Sequence, residues 1–211
     1  SMECYDAAIS LLLYLGHTKE LHGLHYDGNA AAPAGFAAKE PDATMCKSYV
    51  EKNYGFVAYS DASWRSRANT YSSYGYVVFL FGGVISFASK SLQVVALSSA
   101  EAEYAAASQT CREVTFIRNV ATDLGLTLTG RLCVAVDNEA AIAITENAGV
   151  TARNKHFDDA MHYVRDQYDH GKIRLVFVPT DLQRADGFTK ALDPAKFFAW
   201  RSQVVIWHPY V

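Results

Sequence analysis

The stretch VALSSAEAEYAAASQTCREV, residues 95–114, sets two glutamates, Glu101 and Glu103, ahead of a run of alanines. Its apolar spacing predicts a helix from Ser98 to Leu124, stopped by Gly125. At 100° per residue, Glu103, Ala106, Ala107, Thr110, Val114, Ile117, Ala121 and Leu124 fall within about 100° of arc, the width of a core-facing stripe. Glu101 lies on the opposite side, three residues after Ser98, which is the spacing of a capping box. Glu103 therefore heads the inward face. A carboxylate there is costly unless it is paired, hydrogen-bonded or bound to metal. The bland alternative is a side chain that snorkels out of the first turn, where negative charge suits the helix dipole.

Working outward, YGFVAYSDAS (54–63) reads as a strand running into Asp61, and YGYVVFLFGGVISFASK (74–90) as a hairpin joined at Gly82-Gly83. After the long helix, RLCVAVD (131–137) is a nearly all-apolar strand of the kind found where both sheet faces are covered. Helices are predicted at 138–147 and 154–170, a strand at KIRLVFVPT (172–180), and DLQRADGFTKAL (181–192) opens a last helix. The order β-ββ-α-β-α-α-β-α describes a mixed five-stranded sheet flanked by helices, an α/β fold. Upstream, residues 3–16 read as a helix, and the Ala-, Gly- and Pro-rich segment 23–45 as a long loop. The main domain is expected from Tyr49 onward, after an N-terminal connection segment over 1–48.

Composition permits such a core: 211 residues, half of them hydrophobic, with 19 % charged and a net charge of −3. That balance disfavours a dedicated phosphate-grabbing module but not a nucleic-acid enzyme whose acids bind metal. Cys4, Cys46, Cys111 and Cys133 are scattered, so neither a zinc site nor a disulfide framework is signalled, in keeping with a reducing compartment. No apolar run reaches membrane-spanning length, and the opening residues lack the pattern of a secretory leader. Ser1-Met2 reads as a cloning scar on a piece of something longer.

Three further acids stand in telling places. Asp61 and Asp137 end apolar strands, and Asp186 falls in the first turns of the predicted last helix. Each has an ordinary use: an Asx-turn for Asp61, an N-cap for Asp137, a solvated first-turn acid for Asp186. Together with Glu103 they can converge at one edge of an α/β sheet. Carboxylates around one point repel each other unless cations bridge them, and oxygen-only ligation suits magnesium or manganese. Two such ions can activate water and stabilise the leaving oxygen in phosphodiester cleavage.

The motifs AYSDASW (58–64), GGVISFASKS (82–91), VALSSAEAEYAAAS (95–108), VDNEAAIAI (136–144), NKHFDDAMHYVRD (154–166) and GKIRLVFVPTDLQRADGFTKAL (171–192) run in a familiar order. Over about residues 54–201 the chain resembles the ribonuclease H domain of copia-type LTR retrotransposon polyproteins, with residues 7–26 similar in character to the piece that joins it to the reverse transcriptase. The resemblance implies a ribonuclease H-like fold over 49–211 and hydrolysis of the RNA strand of RNA–DNA hybrids beside a reverse transcriptase. It also implies two Mg2+ (or Mn2+) ions held by Asp61, Glu103, Asp137 and Asp186, and a cytoplasmic particle or the nucleus as location. Glu103, with Ala106 three residues on, matches the family glutamate; Glu101, with Tyr104 there, does not.

His156 matches a histidine typical of the copia group, and VPTDLQRAD (178–186) has no room for the histidine-bearing loop of cellular ribonucleases H. His156 is thus a candidate for proton transfer or product release, against the plainer reading of a helix-face histidine. Lys90, Arg153 and Lys155 are candidate phosphate contacts, with charged surface as the default for each. Ala191 stands where the family usually has Pro, and the 23–45 segment is longer than the usual connection. The alternative class is a ribonuclease H-fold tether without chemistry, whose expected mark, loss of an acid, is absent. A transposase or integrase is disfavoured by the acid spacing.

Overall fold

A computed structural model describes residues 22–23, 49–64, 71–93, 95–146 and 155–207. The predicted helix at 3–16 lies outside these residues, as does the 23–45 loop except for Gly23. His22–Gly23 forms a short strand β1 that pairs antiparallel with Ile206–Trp207, β7.

The central sheet contains β2 (Val57–Ser63), β3 (Ser73–Leu80), β4 (Gly83–Ser91), β5 (Leu132–Val136) and β6 (Ile173–Phe177) in the order β4-β3-β2-β5-β6. β2, β3 and β4 pair antiparallel, while β5 and β6 add parallel to β2. This is the mixed five-stranded sheet of the ribonuclease H-like fold. Helices among the described residues include α1 (Ser99–Asp123), α2 (Glu139–Glu146), α3 (Lys155–Asp169) and α4 (Pro194–Val204).

Side-chain alternation along the strands builds two cores. Ala58 on β2 and Leu132, Val134 and Val136 on β5 face one core, which α1 supplies with Ala102, Ala105, Ala106, Cys111 and Val114. Val57 and Tyr59 on β2 and Cys133 and Ala135 on β5 face the other, covered by Phe188, Trp200 and Val204. With both faces buried, β5 has no position for a polar residue, which explains LCVAV. The alanines of α1 let its N-terminal half lie close to the sheet, where Thr110 Oγ1 donates to Ser60 Oγ at 2.9 Å.

Three details differ from the sequence reading. The β3–β4 turn is made by Phe81 and Gly82, both at positive φ, while Gly83 already belongs to β4. Phe81 is held there by its N–H, which donates to the Tyr54 carbonyl at 2.7 Å, and by the Tyr54 ring 5.4 Å away. Leu124, assigned to the buried stripe, is 81 % exposed; it is the C-cap residue, past the last turn that touches the sheet. The last helix does not open at DLQRADGFTKAL. Two 3-10 turns occupy Thr180–Leu182 and Asp186–Phe188, and α4 begins only at Pro194. Pro194 forces the preceding Asp193 into extended backbone, so a helix cannot run through from Asp186. Asp193 instead caps α4, its carboxylate accepting from Lys196 N at 3.0 Å.

Candidate metal centre

Glu103 faces inward, as the helical arithmetic requires. It is 7 % exposed and its Oε2 accepts a hydrogen bond from Ala62 N at 3.1 Å, which ties the head of α1 to the end of β2. Glu101 takes the capping role: its N–H donates to Ser98 Oγ at 3.2 Å. Its carboxylate reaches back to Leu97 N at 2.7 Å, one residue before the cap.

Asp61 is 2 % exposed and sits within β2, opposite Gly75, so it makes no Asx-turn. Strand alternation sends its side chain to the face of Val57 and Tyr59, where Thr189 Oγ1 donates a hydrogen bond to Oδ2. Asp137 follows β5 directly. The cap of α2 is its neighbour Asn138, whose Oδ1 accepts from Ala140 N at 2.9 Å and Ala141 N at 3.3 Å. Asp137 is therefore free of capping duty, and its Oδ2 accepts from Thr180 Oγ1 at 2.9 Å.

Asp61, Glu103 and Asp137 each offer a carboxylate oxygen, and these oxygens lie within 4.8 Å of one another. Asp186 stands outside that compact trio but within electrostatic reach of Asp61 and Asp137. It sits on the 3-10 turn that Gly187 and Phe188 press into place. A Cβ on Gly187 would lie 2.4 Å from the Trp200 ring, and one on Gly75 would lie 2.6 Å from Phe188 Cβ. Trp200 is anchored in turn by its Nε1, which donates to the Arg184 carbonyl at 2.8 Å.

Burial works against ionisation of Glu103 and Asp61. Burial raises Glu103 to about 9, with Asp61 and Asp137 adding to the effect, and raises Asp61 to about 7. Asp186 is raised by burial too, against the opposing pull of Lys190. Such a set is incomplete without positive charge. An oxygen-only group of this spacing fits a hard divalent cation.

Lys90 lies exposed on β4, paired with Tyr74, whose other neighbour is Ala62; it stands at the same end of the sheet as the acids. Lys155 and His156 belong to the first turn of α3, but their side chains lie outside the described residues, as does Arg153 altogether. Thr189 and Lys190 were not singled out from sequence. Lys190, four residues after Asp186, carried the one available signal, the spacing of a local ion pair.

The fold and the acidic cluster together define a ribonuclease H-like domain with a candidate metal centre. Comparison with known proteins gives its relatives. The chain is 36 % identical over 148 residues to the retrovirus-related Pol polyprotein from transposon RE1 of Arabidopsis thaliana, covering 70 % of this chain and 10 % of that protein. It is 36 % identical over 129 residues to that from transposon TNT 1-94 of Nicotiana tabacum, covering 61 % of this chain and 10 % of that protein. The chain is thus a homologue of one segment of the retrovirus-related Pol polyproteins of copia-type transposons, spanning about a tenth of their length. No family model matches it.

Among solved structures, RNase H1 from the halophilic archaeon Halobacterium salinarum NRC-1 aligns with a TM-score of 0.43 at 18 % identity, over 63 % of this chain and 92 % of that one. The N-terminal RNase H domain of rv2228c from Mycobacterium tuberculosis, as a maltose-binding-protein fusion, aligns with a TM-score of 0.46 at 16 % identity, over 70 % and 96 %. Both superpositions are loose, and strand order and direction define the fold without them. No described helix is long and apolar enough to cross a membrane.

Proposed function

We propose that the chain is a metal-dependent endonuclease that hydrolyses the RNA strand of RNA–DNA hybrids during reverse transcription of a retrotransposon. It would act beside the reverse transcriptase portion of the same polyprotein. The observation that carries this reading is the convergence of Asp61, Glu103 and Asp137, from three separate elements, to within 4.8 Å. Kinship with transposon Pol polyproteins supports the substrate class.

Asp61, Glu103, Asp137 and Asp186 would hold a pair of Mg2+ or Mn2+ ions. Two such ions, when bound, supply an activated water and stabilise the leaving oxygen of the phosphodiester. The protein's part is to hold the ligand oxygens still. The Ala62 N–H orients Glu103, Thr180 orients Asp137 and Thr189 orients Asp61, so little reorganisation remains when substrate arrives. Lys90, Arg153 and Lys155 would contact backbone phosphates, and His156 would assist proton transfer or product release.

The test is cleavage of end-labelled RNA in an RNA–DNA hybrid, in duplex RNA and in duplex DNA, with magnesium or with EDTA. The hybrid alone should be cut, and only with metal. Cutting in excess EDTA contradicts the reading; binding without cutting under any metal would leave a tether in its place.

A further inference from the structure

We infer that Lys190 is the internal counter-ion of the acidic site, held against Asp186, and that a divalent ion binds beside Asp186 only by displacing it. The ion nearest Asp186 then binds second and more weakly than the one held by Asp61, Glu103 and Asp137. The inference rests on the metal-dependent reading above and assigns its two ions unequal affinities.

Lys190 Nζ stands 2.9 Å from Asp186 Oδ1, as an ion pair without the alignment of a full hydrogen bond. The contact is built into the chain: Lys190 N and Thr189 N both donate to the Asp186 carbonyl, at 3.2 and 3.1 Å, which closes the turn and sets the lysine stem beside the carboxylate. The same ammonium acts on Asp61, Glu103 and Asp137.

The other three acids are oriented differently. Their partners named above are neutral, an amide N–H and two hydroxyls, which leave further lone pairs for a metal. At Asp186 a full positive charge occupies the position. A dication in contact with Asp186 Oδ1 would sit within a few ångströms of the ammonium, and repulsion between them drives the lysine out. There is room for it to go: a cavity of about 540 Å³ adjoins Asp186 and Lys190 and runs to Thr180, Lys196 and Trp200.

Calorimetric titration of the whole chain with Mn2+ tests this, comparing wild type with Lys190→Met. Lys172→Met, one residue before β6, controls for net charge. Wild type should show a tighter and a weaker event. Lys190→Met should tighten the weaker one about two- to fivefold, the range set by partly exposed ion pairs, and leave the tighter one unchanged. In EDTA the Lys190→Met protein should melt below wild type, and saturating Mn2+ should close that gap. A weaker event unchanged or loosened in Lys190→Met, or shifted equally in Lys172→Met, overturns the proposal while leaving the metal site standing. No Mn2+ uptake by wild type overturns both.

Discussion

Glu103 Oε2 and the Ala62 backbone N–H meet at 3.1 Å, joining the first turn of α1 to the end of β2 across 41 positions of sequence. A single amide donor is too little to offset the burial of a carboxylate at this position, so Glu103 is kept at a cost to stability.

Glu103→Gln preserves the shape and an acceptor for Ala62 while removing the acid. At pH 8 without metal this variant should be more stable than wild type, by about 1–3 kcal/mol. Cleavage should fall about a hundredfold or more. Denaturant melts and the hybrid assay check the two halves separately. A purely structural glutamate would show the opposite pattern, with stability lost and cleavage kept.

Asp61→Asn should abolish cleavage and leave hybrid binding measurable, since affinity for nucleic acid comes mainly from contacts to phosphates. Filter binding or anisotropy with the same hybrid reads the second quantity. Substantial cleavage by this variant would remove Asp61 from the chemistry.

The metal-free protein should lose stability as pH rises. Asp61 is raised from 3.8 to about 7 and Glu103 from 4.5 to about 9, so between those limits the folded chain retains protons that the unfolded chain has released. Stability present at low pH is therefore lost through about pH 4–7 for Asp61 and about 4.5–9 for Glu103, at up to about 1.4 kcal/mol per pH unit for each group. Melting in EDTA from pH 5 to 9 should show the decline. Magnesium at pH 8 should restore stability by binding only the folded state. A flat profile in EDTA contradicts the burial of these acids.

Gly187→Ala places a Cβ within 2.4 Å of the Trp200 ring, where neither the turn nor the anchored indole can yield easily. The expected loss is about 1–3 kcal/mol by denaturant melt, with weaker metal uptake as Asp186 is pushed off its position. A variant as stable and active as wild type would show that this turn does not set the acid.

Much of this was legible along the chain because the signals are local and periodic. The face of α1 follows from 100° steps, and β5 from a run of apolar residues that only a strand covered on both faces can use. The last acid was misread because a helix-forming stretch precedes Pro194, and the consequence of Pro194 for Asp193 outranks propensity over 181–192. The turn at Phe81 and Gly82 depends on Tyr54, and the orientation of Asp137 on Thr180, 43 positions away. No spacing rule reports partners so far apart. Asn138 beside Asp137 was a better clue than it looked, since one of two adjacent capping residues is left for other work.

The most direct test of the central claim is Mn2+ uptake followed by electron paramagnetic resonance, in wild type, Asp61→Asn, Glu103→Gln and Asp137→Asn. The account predicts binding in wild type and its marked loss in each variant, because the three carboxylates form one ligand set. Absence of uptake in wild type, or uptake undiminished in all three variants, would contradict it.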